Sequence, residues 1–406
     1  MKKINQRFFN IVLILFIFLL PTQFGKHFFL DFSYISGLRV DYLSYVIYAT
    51  DILALILIYL KRKHVFKFFT NRLIYIFFFF LAMSIVFSIS PWVAFYKFLK
   101  VVEIVALFSV FKNIVINKIA LLYAFIGGAI LQLSLSIFHL INQHSIQGFF
   151  YFLGERYFTS SIPGIAKASF QGIEILRPYG TFSHPNSMAG FYLLIYSLIL
   201  GIEFKNNQVL KNLLLLLCSF LILISFSKTA ILALILVNLV ALIINYRKAI
   251  CKLCAISRVL VLSLISLIFL YSQTDPLSLV KRVQLIKNSI SIISTYPITG
   301  VGIGNYLIAQ SSILTNTLIF PPQPVHNIFL LLISEVGVFL GIAIIFFIFN
   351  YFYKFRNNPS LIYCAVAIIL TGFFDHYWIT LQQNMILLSF VLGVIVSFQA
   401  RFENSR

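Results

Sequence analysis

The sequence predicts an all-α integral membrane protein with about twelve transmembrane helices and two long loops on the outer side of the membrane. Of its 406 residues, 61% are hydrophobic and 10% are charged, whereas an ordinary soluble domain has roughly 25% charged residues. Apolar runs of about 20 residues recur along the chain. Short basic clusters separate these runs, as the positive-inside rule requires. A soluble fold could not bury this much apolar surface.

Each apolar run is long enough to cross the hydrocarbon core as a helix, and unpaired backbone groups would be costly there. The candidate spans lie near residues 8–25, 42–60, 71–89, 93–111, 119–141, 187–203, 212–226, 229–246, 257–272, 333–353, 360–376 and 385–401. They predict the following organisation: five helices in 1–141, an outer loop in 142–186, four helices in 187–272, a larger outer loop with an amphipathic helix in 273–332, and three helices in 333–406.

The net charge of +20 does not indicate nucleic-acid binding, because the basic residues lie in the short connections between apolar runs. Lys61, Arg62 and Lys63 form one such cluster. Since cytoplasmic loops collect Lys and Arg, both termini are predicted to be cytoplasmic and both long loops to face outward. Binding chemistry is expected in those loops.

The first outer loop ends in Arg177-Pro-Tyr-Gly-Thr-Phe-Ser-His184-Pro-Asn, directly before an apolar helix. Helix N-terminal amides favour anions such as phosphate, and Arg177 could clamp a phosphate bidentately. His184 either joins that site or only caps the helix. In the turn Ser225-Phe-Ser-Lys228-Thr, Lys228 either binds an anion or extends its ammonium to lipid headgroups.

The second outer loop has an amphipathic segment over 278–294, with Arg282 on its polar side, followed by glycines at 300, 302 and 304 that bend the chain. It ends in His326-Asn327, and Glu335 lies nine residues after the histidine. A histidine here can accept a proton near neutral pH.

Several ionisable residues lie within or next to the predicted spans, where such groups are usually paired or functional. Lys100 and Glu103 are i,i+3 neighbours and are predicted to pair structurally. Asp375 and His376 stand at the outer end of the eleventh span and could join the site.

These motifs, in this order and spacing over about residues 170–345, resemble the O-antigen ligase and O-antigen polymerase superfamily. The resemblance implies a membrane glycosyltransferase of the GT-C type that is inverting and metal-independent, with no cofactor. It implies transfer of a glycan from a polyprenyl (undecaprenyl) diphosphate carrier to another glycan or to lipid A core, at the periplasmic face of the bacterial inner membrane.

Carried over by position, the resemblance implies that His326 is the general base and that Arg177 and Arg282 hold the diphosphate. Lys228 stands where the family commonly has arginine, and it can neutralise a phosphate without gripping it bidentately. His184, Asn327 and Glu335 are further candidates. A transporter or flippase of lipid-linked oligosaccharide is the alternative, although the sequence has neither the related halves nor the charged central cavity expected of one.

Overall fold

The computed structural model describes residues 2–162, 164–204, 206–245, 252–272, 276–313 and 323–404. The fold is mostly helical, as predicted. The helices are α1 (Lys2–Leu19), α2 (Ala49–Leu60), α3 (Arg62–Phe69), α4 (Arg72–Val86), α5 (Pro91–Lys112), α6 (Lys118–Asn142), α7 (Pro185–Gly201), α8 (Gln208–Ile224), α9 (Lys228–Asn245), α10 (Lys252–Leu270), α11 (Pro276–Thr295), α12 (Tyr306–Ile313), α13 (Ile328–Val336), α14 (Val338–Lys354), α15 (Pro359–Gly372), α16 (Tyr377–Thr380) and α17 (Gln382–Asn404).

Six short strands form three antiparallel hairpins that the all-α prediction did not include. They are β1 (Gly25–Phe28) with β4 (Tyr45–Tyr48), β2 (Tyr34–Ile35) with β3 (Leu38–Arg39), and β5 (Lys167–Phe170) with β6 (Ile173–Leu176). Each hairpin lies in a connection between helices, so the helical character of the fold is unchanged.

Within the described ranges, three helices are long and apolar enough to cross a membrane, namely Lys118–Asn142, Lys228–Asn245 and Gln382–Gln399. The pair α3 and α4, bent by 78°, could form a fourth span. Several other apolar helices are shorter, at 10–17 residues. These helices show membrane character, but they do not establish the predicted number of spans.

Two predicted spans differ from the helices that form. The run at 42–60 is helical only from Ala49, because Tyr45–Tyr48 pairs with β1 instead. The run at 333–353 is divided at Gly337, whose φ of +82° cannot continue a helix. A hydropathy profile cannot detect either change, because every residue involved is apolar or small.

Helix α7 is the centre of the bundle, since every residue from Pro185 to Ile199 is buried. A helix that is apolar all round belongs in the interior of its bundle. It packs against α8, α9, α15 and α17. Its N-terminus is therefore surrounded by other elements, and that end holds the candidate site.

A second apolar core, which we call the cap cluster, lies among the loop segments. It contains Leu43, Leu285 and Ile292 of α11, Tyr306 of α12, and Leu331 of α13. The opposite side of α11 is exposed, and it carries the apolar residues Val280, Val283, Ile286 and Ile290. The helix predicted over 278–294 thus has one face in the cap cluster and another available to lipid.

The glycine-rich segment after α11 is bound to α13 and to the turn between α4 and α5. The amide of Gly302 donates to the carbonyl of Glu335 at 2.8 Å, and the amide of Ile89 donates to the carbonyl of Val301 at 3.1 Å. Asn305 Oδ1 accepts from the amide of Ser90 at 2.8 Å. These hydrogen bonds hold the segment that precedes α12 in place beside the cap cluster.

Lys100 and Glu103 of α5 are paired as predicted. Lys100 forms ion pairs with Asp51 of α2 and with Glu103, the latter at 3.4 Å. Gln382 also donates to Asp51, which joins the start of α17 to this group. The charges therefore stabilise helix packing and are not used at the site described next.

Candidate active site

Residues far apart in the sequence meet at the N-terminus of α7. A chain of hydrogen bonds and close approaches joins Ser225, Arg177, Asn186, Asp375 and His326. These residues come from the turn before α9, the first long loop, the first turn of α7, the segment after α15 and the residues before α13. The motifs singled out in the sequence thus converge on one place.

Arg177 forms the first part of this network. Its Nε donates to the carbonyl of Ser225 at 2.7 Å, and its Nη2 donates to Oδ1 of Asn186. Burial lowers the pKa of Arg177 to about 10, so the guanidinium remains protonated at neutral pH. The side chain is partly exposed, so its positive charge is fixed in direction and still accessible to an anion.

Asp375 is the buried centre of the network. Its Oδ2 accepts from Nδ2 of Asn186 at 2.8 Å, and its Oδ1 accepts from the amide of His376 at 2.8 Å. Burial by itself would raise the pKa of Asp375, but the adjacent imidazole rings of His326, His376 and His184 hold it well below its usual range. The carboxyl group is therefore an anion at neutral pH.

His326 lies between this anion and solvent. Its Nδ1 is 3.6 Å from Oδ1 of Asp375, and the imidazole side chain is 23% exposed. Nδ1 is buried and has no hydrogen-bond partner among the described residues. The ring thus has one nitrogen directed toward a carboxylate, and enough exposure for a substrate to reach its other nitrogen.

Asn327 positions the histidine and does not extend the network. Its Oδ1 accepts from the amides of Phe329 and Leu330, at 2.9 Å and 3.0 Å, which caps α13. Its Nδ2 donates to the carbonyl of Phe373 at 3.3 Å. Both contacts hold the start of α13 against the segment that carries Asp375.

Two further cations lie beside the network. Arg282 of α11 is partly exposed, and its Nη1 donates to the carbonyl of Phe374 at 3.4 Å, immediately before Asp375. Lys228 follows the turn whose Ser225 carbonyl binds Arg177, and its side chain is partly exposed. Arg177 and Arg282 thus contribute two positive charges at the network, and Lys228 follows Ser225 by three residues in the chain.

Two of the predicted candidates have other contacts. Nδ1 of His184 accepts from the amide of Asn186 at 3.1 Å, so this histidine caps α7, although its ring is exposed beside the network. Glu335 is buried at the far end of α13, where it accepts from the hydroxyl of Tyr42 at 2.9 Å and lies near Lys97. Glu335 therefore interacts with Tyr42 of the connection before α2 and with Lys97 of α5.

Sequence reasoning did not assign a role to Asn186, which bridges Arg177 and Asp375. The available signal was its place at the end of the 177–186 motif, in the first turn of a buried helix. Polar side chains in such positions have partners. The partner itself, Asp375, lies 189 positions away, and no local pattern could have identified it.

The arrangement combines a partly exposed imidazole, a fixed carboxylate and the guanidinium groups of Arg177 and Arg282. It can accept a proton at His326, stabilise the imidazolium that results, and neutralise an anionic leaving group. His326, Asp375 and His376 could also hold a metal ion, since one ligand atom of each lies within 4.8 Å of those of the others.

Comparison with known families gives a match over part of the chain. Residues 213–346 match the family model described as O-antigen ligase. The matched region contains Ser225, Lys228, Arg282, His326 and Glu335, whereas Arg177 and Asp375 lie on either side of it. A search of curated proteins gives no match.

Proposed function

We propose, from the premise that residues 213–346 place this chain in the O-antigen ligase superfamily, that it transfers a glycan from a polyprenyl diphosphate carrier to an acceptor hydroxyl. The observation that carries this proposal is the approach of His326 to the buried anion Asp375, with Arg177 and Arg282 beside them. The acceptor is a second glycan or lipid A core, so the protein acts in surface polysaccharide assembly as a ligase or a polymerase.

The donor is already activated by its diphosphate, so the enzyme has three tasks. It must orient the acceptor, remove one proton and stabilise negative charge on the departing phosphate. The acceptor oxygen attacks the anomeric carbon as the bond from that carbon to the phosphate oxygen breaks, with inversion. No metal ion or nucleotide is needed for this sequence of events.

His326 is the proposed general base. Its Nε2 takes the proton of the acceptor hydroxyl, and the carboxylate beside Nδ1 stabilises the imidazolium that forms. The 3.6 Å between Nδ1 and Oδ1 is longer than a hydrogen bond. Catalytic hydrogen bonds often shorten only when substrate is bound, and a small rotation of the ring would close this one.

Arg177, Arg282 and Lys228 are proposed to bind the diphosphate. Arg177 and Arg282 can each offer two parallel N–H donors to phosphate oxygens, whereas Lys228 offers a point charge. The N-terminus of α7 adds amides and a partial positive charge at the same place. The exposed ring of His184 could donate to the same anion.

The site is proposed to face the periplasm of a bacterial inner membrane, with both chain termini in the cytoplasm. The support is the basic clusters, such as Lys61 to Lys63, in the connections at the opposite ends of the helices. A lipid-linked donor would then reach the cations from the outer leaflet.

The test is a transfer assay with purified protein, polyprenyl diphosphate-linked oligosaccharide and lipid A core, without nucleotide. His326→Ala should lower kcat by roughly 10²–10⁴-fold, the usual contribution of a general base. His144→Ala is the matched control, because His144 is an exposed histidine of the first long loop that bonds only the carbonyl of Ser145 among the described residues. Full activity of His326→Ala would refute the assignment of the base.

A further inference from the structure

The distance between His326 and Asp375 is longer than a hydrogen bond and is close to the separation of two ligands of one metal ion. Nδ1 of His326 is buried without a hydrogen-bond partner among the described residues, although a carboxylate oxygen lies 3.6 Å away. A charge-assisted N–H···O bond would be about 2.7–2.9 Å long. Two ligands of one zinc ion, each about 2.0–2.1 Å from it at a tetrahedral angle, lie roughly 3.3–3.5 Å apart.

His376 supplies a third candidate ligand, whose ring is oriented by Thr380. Its Nδ1 lies 2.8 Å from Oγ1 of Thr380, while the hydroxyl of Thr380 donates to the carbonyl of His376 at 3.0 Å. When the hydroxyl proton is used in that bond, Oγ1 is free to accept from a protonated Nδ1. The lone pair of a neutral ring is then on Nε2, where a metal ion can bind it.

The carboxylate is held in a similar way. Oδ2 of Asp375 accepts from Asn186, and Oδ1 accepts from the amide of His376, so the group cannot rotate freely. Ligands that are oriented by outer hydrogen bonds are typical of metal sites. One ligand atom from each of His326, Asp375 and His376 lies within 4.8 Å of the others.

We propose that His326, Asp375 and His376 bind a borderline-soft divalent cation such as Zn²⁺, and that the bound cation inhibits glycan transfer. Two imidazoles and one carboxylate form a ligand set that suits zinc and related transition ions, whereas Mg²⁺ and Ca²⁺ prefer oxygen ligands throughout. Three protein ligands leave the fourth position open to water or substrate.

Inhibition follows from the tautomer that coordination imposes. When Nδ1 of neutral His326 binds a cation, the ring proton is on Nε2, and this nitrogen can no longer accept the acceptor proton. The binding of the cation does not depend on the proposed function, whereas the inhibition rests on it. Arg177 and Arg282 repel a cation, so we expect weaker binding than at a closed structural zinc site.

The binding test uses Co²⁺ as a spectroscopic probe, with full-length protein in detergent that has been stripped with chelator and carries no histidine tag. We expect saturable tetrahedral Co²⁺ absorption with one ion per chain, displaced by Zn²⁺. His376→Ala should weaken Zn²⁺ binding tenfold or more, and His144→Ala should leave it unchanged. Equal binding by the wild type and His376→Ala, or no saturable binding, would overturn the site.

A second variant covers the case in which His376→Ala fails to fold. Thr380→Val keeps all three ligands and removes the hydroxyl that contacts both Nδ1 and the backbone carbonyl of His376. Loss of such an outer partner typically costs 10- to 100-fold in metal affinity, and we expect a loss in this range. Unchanged affinity would contradict the orientation of His376 by Thr380 on which the site depends.

The inhibition test adds Zn²⁺ to the transfer reaction and then removes it with excess chelator. Loss of transfer at the Zn²⁺ concentration that saturates binding, with recovery in chelator, would support the inhibitory role. Stimulation by Zn²⁺ would overturn that role. Saturable binding without transfer under any condition would refute the proposed function and the inhibition that rests on it, while supporting the metal site.

Discussion

At the scale of single residues, the account depends on the anion at the centre of the network. Asp375 is buried, and its pKa is held well below the usual range, because the surrounding histidines outweigh the effect of burial. It is therefore ionised throughout the pH range in which an enzyme would be assayed. A change in activity on its replacement therefore does not reflect an altered protonation state of this carboxyl group.

Asp375→Asn should reduce kcat roughly ten- to a hundredfold, a smaller loss than that of the general base itself. The amide keeps an acceptor for the His376 amide but no longer stabilises a His326 imidazolium. Steady-state kinetics with varied acceptor would measure this loss, which should appear in kcat. Glu174→Gln is the control, since the Glu174 carboxylate is exposed in β6; equal kcat for both variants would exclude a role for the anion.

Arg177→Lys should destabilise the protein by about 1–3 kcal/mol, because one ammonium cannot satisfy both the Ser225 carbonyl and the Asn186 amide oxygen. Thermal unfolding in detergent should show a lower Tm for this variant. Arg156→Lys, at an exposed arginine of the same loop, should unfold like the wild type. An unchanged Tm for Arg177→Lys would mean that the two hydrogen bonds of the Arg177 guanidinium have no structural role.

Sequence reasoning identified the residue types of the site but not their mutual contacts. Arg177, Arg282 and His326 stood out because charged and titratable groups beside apolar helices are costly without a use. The bond from Arg177 to the Ser225 carbonyl spans 48 positions, and it depends on how α7, α8 and α9 pack. A motif can indicate chemistry, but only tertiary packing decides which partners are reached.

At the scale of elements, close backbone approaches decide the breaks between helices. Gly302 has φ of +90°, and a Cβ built there would lie 2.2 Å from Cβ of Ser88 and 2.9 Å from its Cα. The segment around it joins α13 to the turn between α4 and α5. A side chain at this position would force those elements apart.

Gly302→Ala should therefore lower the Tm by more than Gly172→Ala does. Gly172 has nearly the same φ, +88°, but open space around it, so the pair separates backbone strain from collision. Thermal unfolding of the two variants and the wild type makes the comparison. Equal decreases in Tm for the two variants would mean that the positive φ alone accounts for the destabilisation, and they would contradict the close packing of Gly302 against Ser88.

The helical pattern was predictable for the long apolar runs, and α6 (Lys118–Asn142) covers the predicted span at 119–141. The division at Gly337 was not predictable, because the amide of Val338 donates to the carbonyl of Pro297, in a loop 41 positions earlier in the sequence. The hairpin of β1 and β4 was hidden for a similar reason: Tyr45–Tyr48 is as apolar as the helix that follows it. A hydropathy profile shows which segments avoid water. It does not show the backbone conformation, because that depends on hydrogen bonds to residues far away in the sequence.

At the scale of the whole molecule, the account requires the site to lie on the outer side of the membrane. Single cysteines in a background whose four natural cysteines are replaced would test this. Glu174→Cys should react with a membrane-impermeant maleimide in intact cells, whereas Asn357→Cys should react only after permeabilisation. Both positions are exposed, and the reverse labelling pattern would place the site in the cytoplasm.

The most direct test of the central claim places purified protein in proteoliposomes with polyprenyl diphosphate-linked oligosaccharide and lipid A core, without nucleotide. The account predicts a new glycan product that depends on His326: a single mobility shift of lipid A core for a ligase, or a ladder on the carrier for a polymerase. Movement of the donor across the bilayer with no product in either arrangement would identify a transporter and would contradict the account.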